Sequence, residues 1–582
     1  MPTDVKSGHE STMLKSGPFH TITEALAAAP ADRPFVTYWT DEDEQEQVTF
    51  GEFRSRARRQ AAVLKSYGVN RGDRVVIIMP QSIAAMASFA GTMMLGAVPA
   101  FLAYPNFKIE PGKYRSGLAG VTANLSAKVI VIDEEFPEEL LGHVTVSDGS
   151  KLIRACNFPA VEELADVIEG IGPDDIAFIQ HSAGTTGLQK GVALTHQAVL
   201  TQLHYLADAL HIDTAADRIY SWLPLYHDMG LIACFMLPLV YHLPVVMQSP
   251  LDWVIHPETM LQAIAQHKCT LAWMPNFGFQ FLPRRTRPEH LEEVDLSSLR
   301  ALINCSEPVR EKSVREFAST FGRLGLKPNA LQSSYAMAEN VFAVTQSRVR
   351  DSRGPTSIWT DGARFRSEHV ISLVPGGTPG AVSFVSSGKL LPNHQVRIVS
   401  EDEAVLDDGA AGEILIASDC LFSGYYNRPD LTREALADGW YHTGDLGFCL
   451  NDELFVVGRK KDLLIVGGEN IYPQDIEEVV SSHPAIHDGR VVALGIYNPD
   501  LGTEEIALVA EVENETLLDH SSEIESEIRS SVVAALGIAA RSIILKPPRW
   551  IVKSTAGKAA RSATREKLLL EHPELRYECQ EV

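Results

Sequence analysis

Between Val48 and Asp133 the spacing of hydrophobic positions changes in a regular way. Phe53 to Tyr67 and Ile83 to Leu95 carry apolar residues at helical spacing, and the β-branched runs that follow, Val75 to Met79 and Val129 to Ile132, predict short buried strands. The alternation continues with strands over Ile176 to Gln180, Thr270 to Trp273 and Ala301 to Asn304, and helices over Gln197 to Leu210, Met260 to Gln266 and Ser313 to Phe321. Such alternation predicts an α/β fold built in layers.

From Arg348 to Pro379 charges, glycine and proline crowd together and the period is lost. Short runs at Val382 to Val385, Val396 to Val399 and Glu413 to Ala417 then predict a small β-rich subdomain. After Gly458 a compact α/β pattern restarts, with helices over Asp475 to Ser481 and Ser522 to Leu536 and strands over Val491 to Gly495 and Ile506 to Val512. The predicted organisation is a large N-terminal domain (1–457) of layered α/β subdomains plus the β-rich one, a hinge at the basic run Gly458-Arg459-Lys460-Lys461-Asp462, and a small α/β C-terminal domain (463–582).

Composition narrows the classes. A chain of 582 residues, 45% hydrophobic, holds several packed cores. A formal net charge of −24 argues against nucleic acid as a partner, since phosphates would be repelled. Seven scattered cysteines without a C-x-x-C pair predict reduced thiols in a cytoplasmic protein, not a zinc site or disulfide framework. Met1 to Gly17 is polar and lacks the apolar core of a secretory signal. The apolar stretch Trp222 to Val246 is interrupted by His227, Asp228, Pro238, His242 and Pro244, so it predicts buried interior and no transmembrane segment.

The strongest local chemistry lies in Ser182-Ala183-Gly184-Thr185-Thr186-Gly187-Leu188-Gln189-Lys190-Gly191, just after a predicted buried strand. Glycines allow close backbone approach, so N–H groups and hydroxyls can ring a phosphate while Lys190 adds positive charge. The spacing is not that of the Walker loop. Taken alone, the segment has a plainer reading as a turn-rich surface loop.

Further along come Trp222-Leu223-Pro224-Leu225-Tyr226-His227-Asp228-Met229-Gly230, Tyr335-Ala336-Met337-Ala338-Glu339, Tyr441-His442-Thr443-Gly444-Asp445, Gly458 to Asp462 and Ser554-Thr555-Ala556-Gly557-Lys558. In this order, over nearly the whole chain, they resemble the adenylate-forming superfamily of acyl-CoA synthetases, peptide-synthetase adenylation domains and luciferases. Pro275-Asn276-Phe277, Glu307-Pro308-Val309-Arg310 and Tyr472-Pro473-Gln474-Asp475-Ile476-Glu477 bring it nearest to the fatty-acyl-AMP ligases. Those enzymes carry an insert after the tyrosine motif, where residues 348–377 stand here. The chain departs from the family pattern at His181, Ala183, Gln189 and Ala336-Met337, which alters packing around the phosphates and adenine.

The resemblance implies an acid-thiol ligase that uses ATP and magnesium to make an acyl-adenylate from a medium- or long-chain fatty acid, then acylates the phosphopantetheine thiol of an acyl carrier protein. Many relatives serve lipid, polyketide or lipopeptide assembly. It implies that Ser182, Gly184, Thr185, Thr186, Gly187 and Lys190 hold phosphates and that Glu339 holds the magnesium ion, an oxygen-seeking cation. Tyr335, with Ala336 and Met337 beside it, would stack on adenine in a pocket lined by Asn304, Ser306 and Glu307. Asp445 would accept the ribose hydroxyls and Arg459 would meet ribose or phosphate. His227 and Asp228 would face the acyl carboxylate, and Lys558 would offset charge as the carboxylate attacks the α-phosphate. Lys461 would be the pivot of a mobile C-terminal domain. Trp222, Met274, Phe277 and Phe279, with Trp273 and Phe281, would line an acyl tunnel. Singly, each has a plainer reading: a surface acid, a core aromatic, a satisfied histidine, a solvated lysine. Two other functions share the pattern, an acyl-CoA ligase using free coenzyme A and a non-catalytic adenylate-binding module.

Overall fold

In a computed structural model the described residues are 5–6, 18–39, 45–105, 111–155, 161–164, 170–181, 190–349, 354–466, 469–499, 501–553 and 559–576. Strands and helices alternate as the hydrophobic pattern predicts. The helices Phe50–Ser66 and Ile83–Met94 and the strands Arg74–Ile78 and Val129–Ile132 fall where the apolar spacing switches between helical and β-branched. Thr49 starts the first of these helices with a reciprocal cap, its hydroxyl accepting from Glu52 N–H while the Glu52 carboxylate takes the Thr49 N–H.

Among the described residues there are seven sheets, of which the three largest are two layered, mainly parallel sheets and one antiparallel sheet. A four-stranded sheet runs in the order Val98–Phe101, Arg74–Ile78, Val129–Ile132, Lys151–Arg154, all parallel. A nine-stranded sheet has a parallel centre in the order Leu331–Ala336, Ala301–Asn304, Leu271–Met274, Ile219–Ser221, Val245–Gln248, Pro34–Trp39. Its central strands are buried throughout, as parallel strands covered on both faces must be. The third unit is an antiparallel sheet containing Gln395–Val399, Gly412–Ala417, Trp440–Leu450 and Glu453–Arg459.

The stretch Trp222 to Val246 lies in the interior, where Met229–Met236 forms a wide helical turn and every one of its residues is buried. Among the described residues no helix is long and apolar enough to cross a membrane. The five described cysteines are all buried and free.

Residues 354–379 are more ordered than their composition predicts. Ser357–Asp361 pairs with Ala381–Val385, and Gly362–Glu368 is a short helix capped by Asp361. The run Val382 to Val385, assigned from sequence to the β-rich subdomain, therefore belongs to a separate hairpin. Phe365 anchors it, touching Phe384, Phe448 and the ring of Tyr472.

Past Asp462, Ile486–Asn498, Thr503–Val512 and Ser542–Lys546 form one sheet with a core on each face. Ala493, Leu508 and Ala510 face the helices Pro473–Ser481 and Ser521–Leu536, while Val492, Leu494 and Val509 face Trp550 and Leu568 of the helix Arg561–Glu571. Period-two alternation in the two long strands produces both cores.

Candidate active site

The ends of neighbouring parallel strands, Ala301–Asn304 and Leu331–Ala336, lie at the C-terminal edge of the nine-stranded sheet. Tyr335 stands near the end of Leu331–Ala336, with its ring buried among Val344, Ile398, Ile414 and Ile416. Its hydroxyl donates to Asp445 Oδ2 at 2.7 Å. Burial first, and the Asp445 charge second, push the phenol well above its usual range, so it stays a donor. Asp445 is the register partner of Arg459 across the strands Trp440–Leu450 and Glu453–Arg459, which sets its carboxylate 3.3 Å from Arg459 Nε. Gly444 before it adopts φ +68, and Thr443 Oγ1 accepts the Asp445 N–H. Arg459 remains half exposed although Asp445 raises its basicity further.

Glu339 sits in the one-turn helix Ala338–Asn340 and is buried. Tyr425 donates its hydroxyl to Glu339 Oε1 at 2.8 Å, and Tyr441 approaches the same hydroxyl at 3.3 Å. Lys190 Nζ stands 4.5 Å from the centre of the Tyr425 ring. Tyr441 opens the Tyr441-His442-Thr443-Gly444-Asp445 motif but was given no role from the sequence, and Tyr425, in the short strand Gly424–Tyr425, belongs to no motif read there. The turn after Glu339 is strained: Val341 has φ 59 and ψ −55, and Phe342 N–H reaches back to Asn340 O at 2.6 Å. Asn340 holds it, donating to Ala343 O and to His394 Nε2 while Ser418 Oγ donates to its Oδ1. His394 therefore carries its proton on Nδ1, which donates to Pro392 O.

Asn304 ends the strand Ala301–Asn304 and donates from Nδ2 to Asn276 Oδ1 at 3.0 Å, leaving its own Oδ1 buried with no protein partner among the described residues. Ser306 beside it takes φ +69. Glu307 has a structural task, since its Oε2 accepts the Phe277 N–H at 2.8 Å in the first turn of the helix Asn276–Arg285. Ala336 and Met337 flank Tyr335, and Met337 N–H donates to Phe342 O.

The proposed acyl-lining residues divide. Trp222 stacks on Trp253 at 3.7 Å, nearly coplanar, with Phe277 edge-on to both and Phe281 beside Trp253. Phe279 lies instead against Phe317, on the other side of the helix Asn276–Arg285, because two residues rotate a helix by about 200°. It is core, separated from the Trp222 cluster. Met274 closes the strand before it and packs against Gly278, where an added Cβ would come within 2.4 Å of Met274 Cγ. His227 Nδ1 lies 2.6 Å from Asp228 Oδ1, which also accepts the Met229 N–H.

Lys461 lies in the one-turn helix Lys460–Asp462, where burial and then Arg459 lower its basicity. Ser182, Gly184, Thr185, Thr186, Gly187 and Lys558 lie outside the described residues.

The family-wide sequence pattern of AMP-binding enzymes matches residues 22–426. This chain belongs to the AMP-binding enzyme family. A Mycobacterium tuberculosis protein provisionally named as a fatty-acid–CoA ligase is 30% identical over 595 residues, covering 96% of this chain and 99% of its own. A medium-chain-fatty-acid–[acyl-carrier-protein] ligase of Moorena producens is 29% identical over 547 residues, covering 91% of each chain. A structure solved in work on fatty acyl-adenylate ligases from E. coli and L. pneumophila superposes with a TM-score of 0.88 at 27% identity, over 96% of this chain and 99% of the other. The chain is thus an adenylate-forming ligase with the α/β body and C-terminal unit of that fold.

Proposed function

We propose that this chain activates a fatty acid with ATP and passes it, through the acyl-adenylate, to the phosphopantetheine thiol of an acyl carrier protein. The observation that carries the reading is a pair of donor–acceptor clusters, Tyr335–Asp445–Arg459 and Lys190–Tyr425–Glu339, joined by the strand Trp440–Leu450, which supplies Asp445 to the first and sets Tyr441 against Tyr425 of the second. Such a site offers a carboxylate for two ribose hydroxyls, cations for phosphate, and a second carboxylate held by a phenol. Asn304 Oδ1 supplies a buried acceptor suited to a nucleobase amine.

In the first step a carboxylate oxygen of the acid bonds to the α-phosphorus and the bond to pyrophosphate breaks. Lys190 and Arg459 hold phosphate and ribose, and Lys558 is assigned to the charge that gathers between the two anions. Glu339 suits magnesium, which typically takes one or two carboxylates alongside substrate phosphates and, when bound, neutralises phosphate charge. In the second step the thiol sulfur bonds to the acyl carbon, AMP leaves with the electron pair, and the thiol proton passes to solvent. Residues 458–462 act as hinge with Lys461 as pivot, and residues 348–377 act as a restraint on the swing. The Phe365–Tyr472 contact favours that restraint. His227 and Asp228 stand at the acid's carboxylate, and the Trp222–Trp253–Phe277 group faces the chain.

The second reading, transfer to free coenzyme A, is favoured by the name of the Mycobacterium tuberculosis relative. Presenting purified acyl-adenylate complex with holo-carrier protein or coenzyme A separates the two. Thioester on the carrier with little on coenzyme A supports the proposal, and comparable turnover with coenzyme A replaces it.

A further inference from the structure

Two motifs, Glu307 to Arg310 and Tyr472 to Glu477, meet in the structure through Arg310 and Asp475, neither of which has a task in the adenylation chemistry. The Arg310 guanidinium lies 3.5 Å from Asp475 and 3.4 Å from Glu478, one helical turn apart on Pro473–Ser481, and both Arg310 and Asp475 are largely buried. Arg310 also reaches the base-facing end of the sheet, because its N–H donates at 3.1 Å to the same Asn276 Oδ1 that holds Asn304. The helix it grips leads onward. Glu477, between the two acids, clamps Arg561 through both carboxylate oxygens, with Nη2 to Oε2 at 2.8 Å, and Arg561 opens the helix that follows the Lys558 segment. Arg561 Nε also stands 3.7 Å from Asp462 of the hinge run. Lys312 donates to Ser482 at 3.1 Å and Arg284 pairs with Asp488, so at three places basic groups of the body face acids or a hydroxyl on the C-terminal unit.

We propose that Arg310 is a positioning residue for adenylate formation, seating the helix Pro473–Ser481, and through Glu477 the helix Arg561–Glu571, on the strand end that carries Asn304. The inference rests on the assignment of Lys558 above. A buried pair of this kind is sensitive to removal of one partner, because the other charge is left without compensation.

The test measures kcat and KM for ATP in fatty-acid-dependent pyrophosphate release by the full-length chain. Arg310→Gln and Asp475→Asn should each lower kcat about 10- to 100-fold while KM for ATP changes less than about threefold, the range of coupling between linked sites. Reversing the pair, Arg310→Asp with Asp475→Arg, should recover about tenfold or more over Arg310→Asp alone, a rescue that loss of packing would not give. An unchanged kcat in Arg310→Gln, or equal loss in the single and reversed variants, overturns the proposal. If Arg310→Asp does not fold, Glu478→Gln at the more exposed end decides, with a smaller loss of kcat expected and no loss contradicting. Lys558→Ala run alongside separates the two readings: full activity there removes the Lys558 assignment, while the reversed pair still decides whether Arg310 seats the helix.

Discussion

Asp445 joins two of the site's side chains, since it accepts the Tyr335 hydroxyl and pairs with Arg459 at once. Asp445→Asn should raise KM for ATP about 10- to 100-fold, the range for losing charge-assisted hydrogen bonds, whereas Tyr335→Phe, which keeps the ring, should cost only about threefold to tenfold. Steady-state ATP titrations check that order of effects, and a larger loss in the tyrosine variant would contradict it. At this scale the sequence was informative wherever a residue's neighbours in the chain are also its neighbours in space. Asp445 and Arg459 are fourteen positions apart but face each other across one tight strand pair, so the two motifs read as one site. Tyr425, Asn276 and Arg310 were opaque, because their partners Glu339, Asn304 and Asp475 arrive from distant parts of the chain. The strain at Val341 has no signature in a β-branched residue that ordinarily avoids positive φ.

At the level of elements, the turn that delivers His227 and Asp228 depends on close backbone approach. A Cβ on Gly230 would lie 2.3 Å from Pro224 O and 2.9 Å from Leu223 O, contacts that backbone carbonyls cannot relieve by rotating a side chain. Gly230→Ala should destabilise the chain by about 1–3 kcal/mol and misplace Asp228. Chemical denaturation reads the first effect and acid-dependent activity the second; an unchanged midpoint would show that Met229–Met236 shifts without cost. Helical periodicity also explains the misplaced Phe279. An aromatic run Phe277, Phe279, Phe281 looks like one surface in a linear sequence, but on a helix the middle residue turns away, and here it meets Phe317. The hairpin around Phe365 was hidden for a different reason: its strands lie twenty residues apart, separated by a helix and charged turns.

For the whole molecule, burial of neutral histidines ties stability to pH. His196 accepts the Ile22 N–H through Nδ1 at 3.2 Å, and burial lowers it from 6.5 to about 4. His181 is likewise lowered to about 4 by burial. Because the folded pKa lies below the unfolded one, the unfolded chain binds the extra proton. The contribution is complete above about pH 6.5 and disappears as pH falls towards 4, amounting to about 3 kcal/mol per histidine at most. Urea midpoints at pH 7 and pH 4.5 should therefore differ more for the wild type than for His196→Asn, which keeps an acceptor but cannot be charged; an equal decrement would contradict the account.

Whether the Tyr335–Asp445–Arg459 and Lys190–Tyr425–Glu339 clusters serve the adenylation of a fatty acid is tested most directly by fatty-acid-dependent exchange of pyrophosphate into ATP, measured across a panel of chain lengths with wild type and Lys558→Ala side by side. Exchange that appears with a medium- or long-chain acid and is lost in the variant is the predicted result. ATP binding without exchange for any acid would contradict it and leave a protein that holds an adenylate without making one.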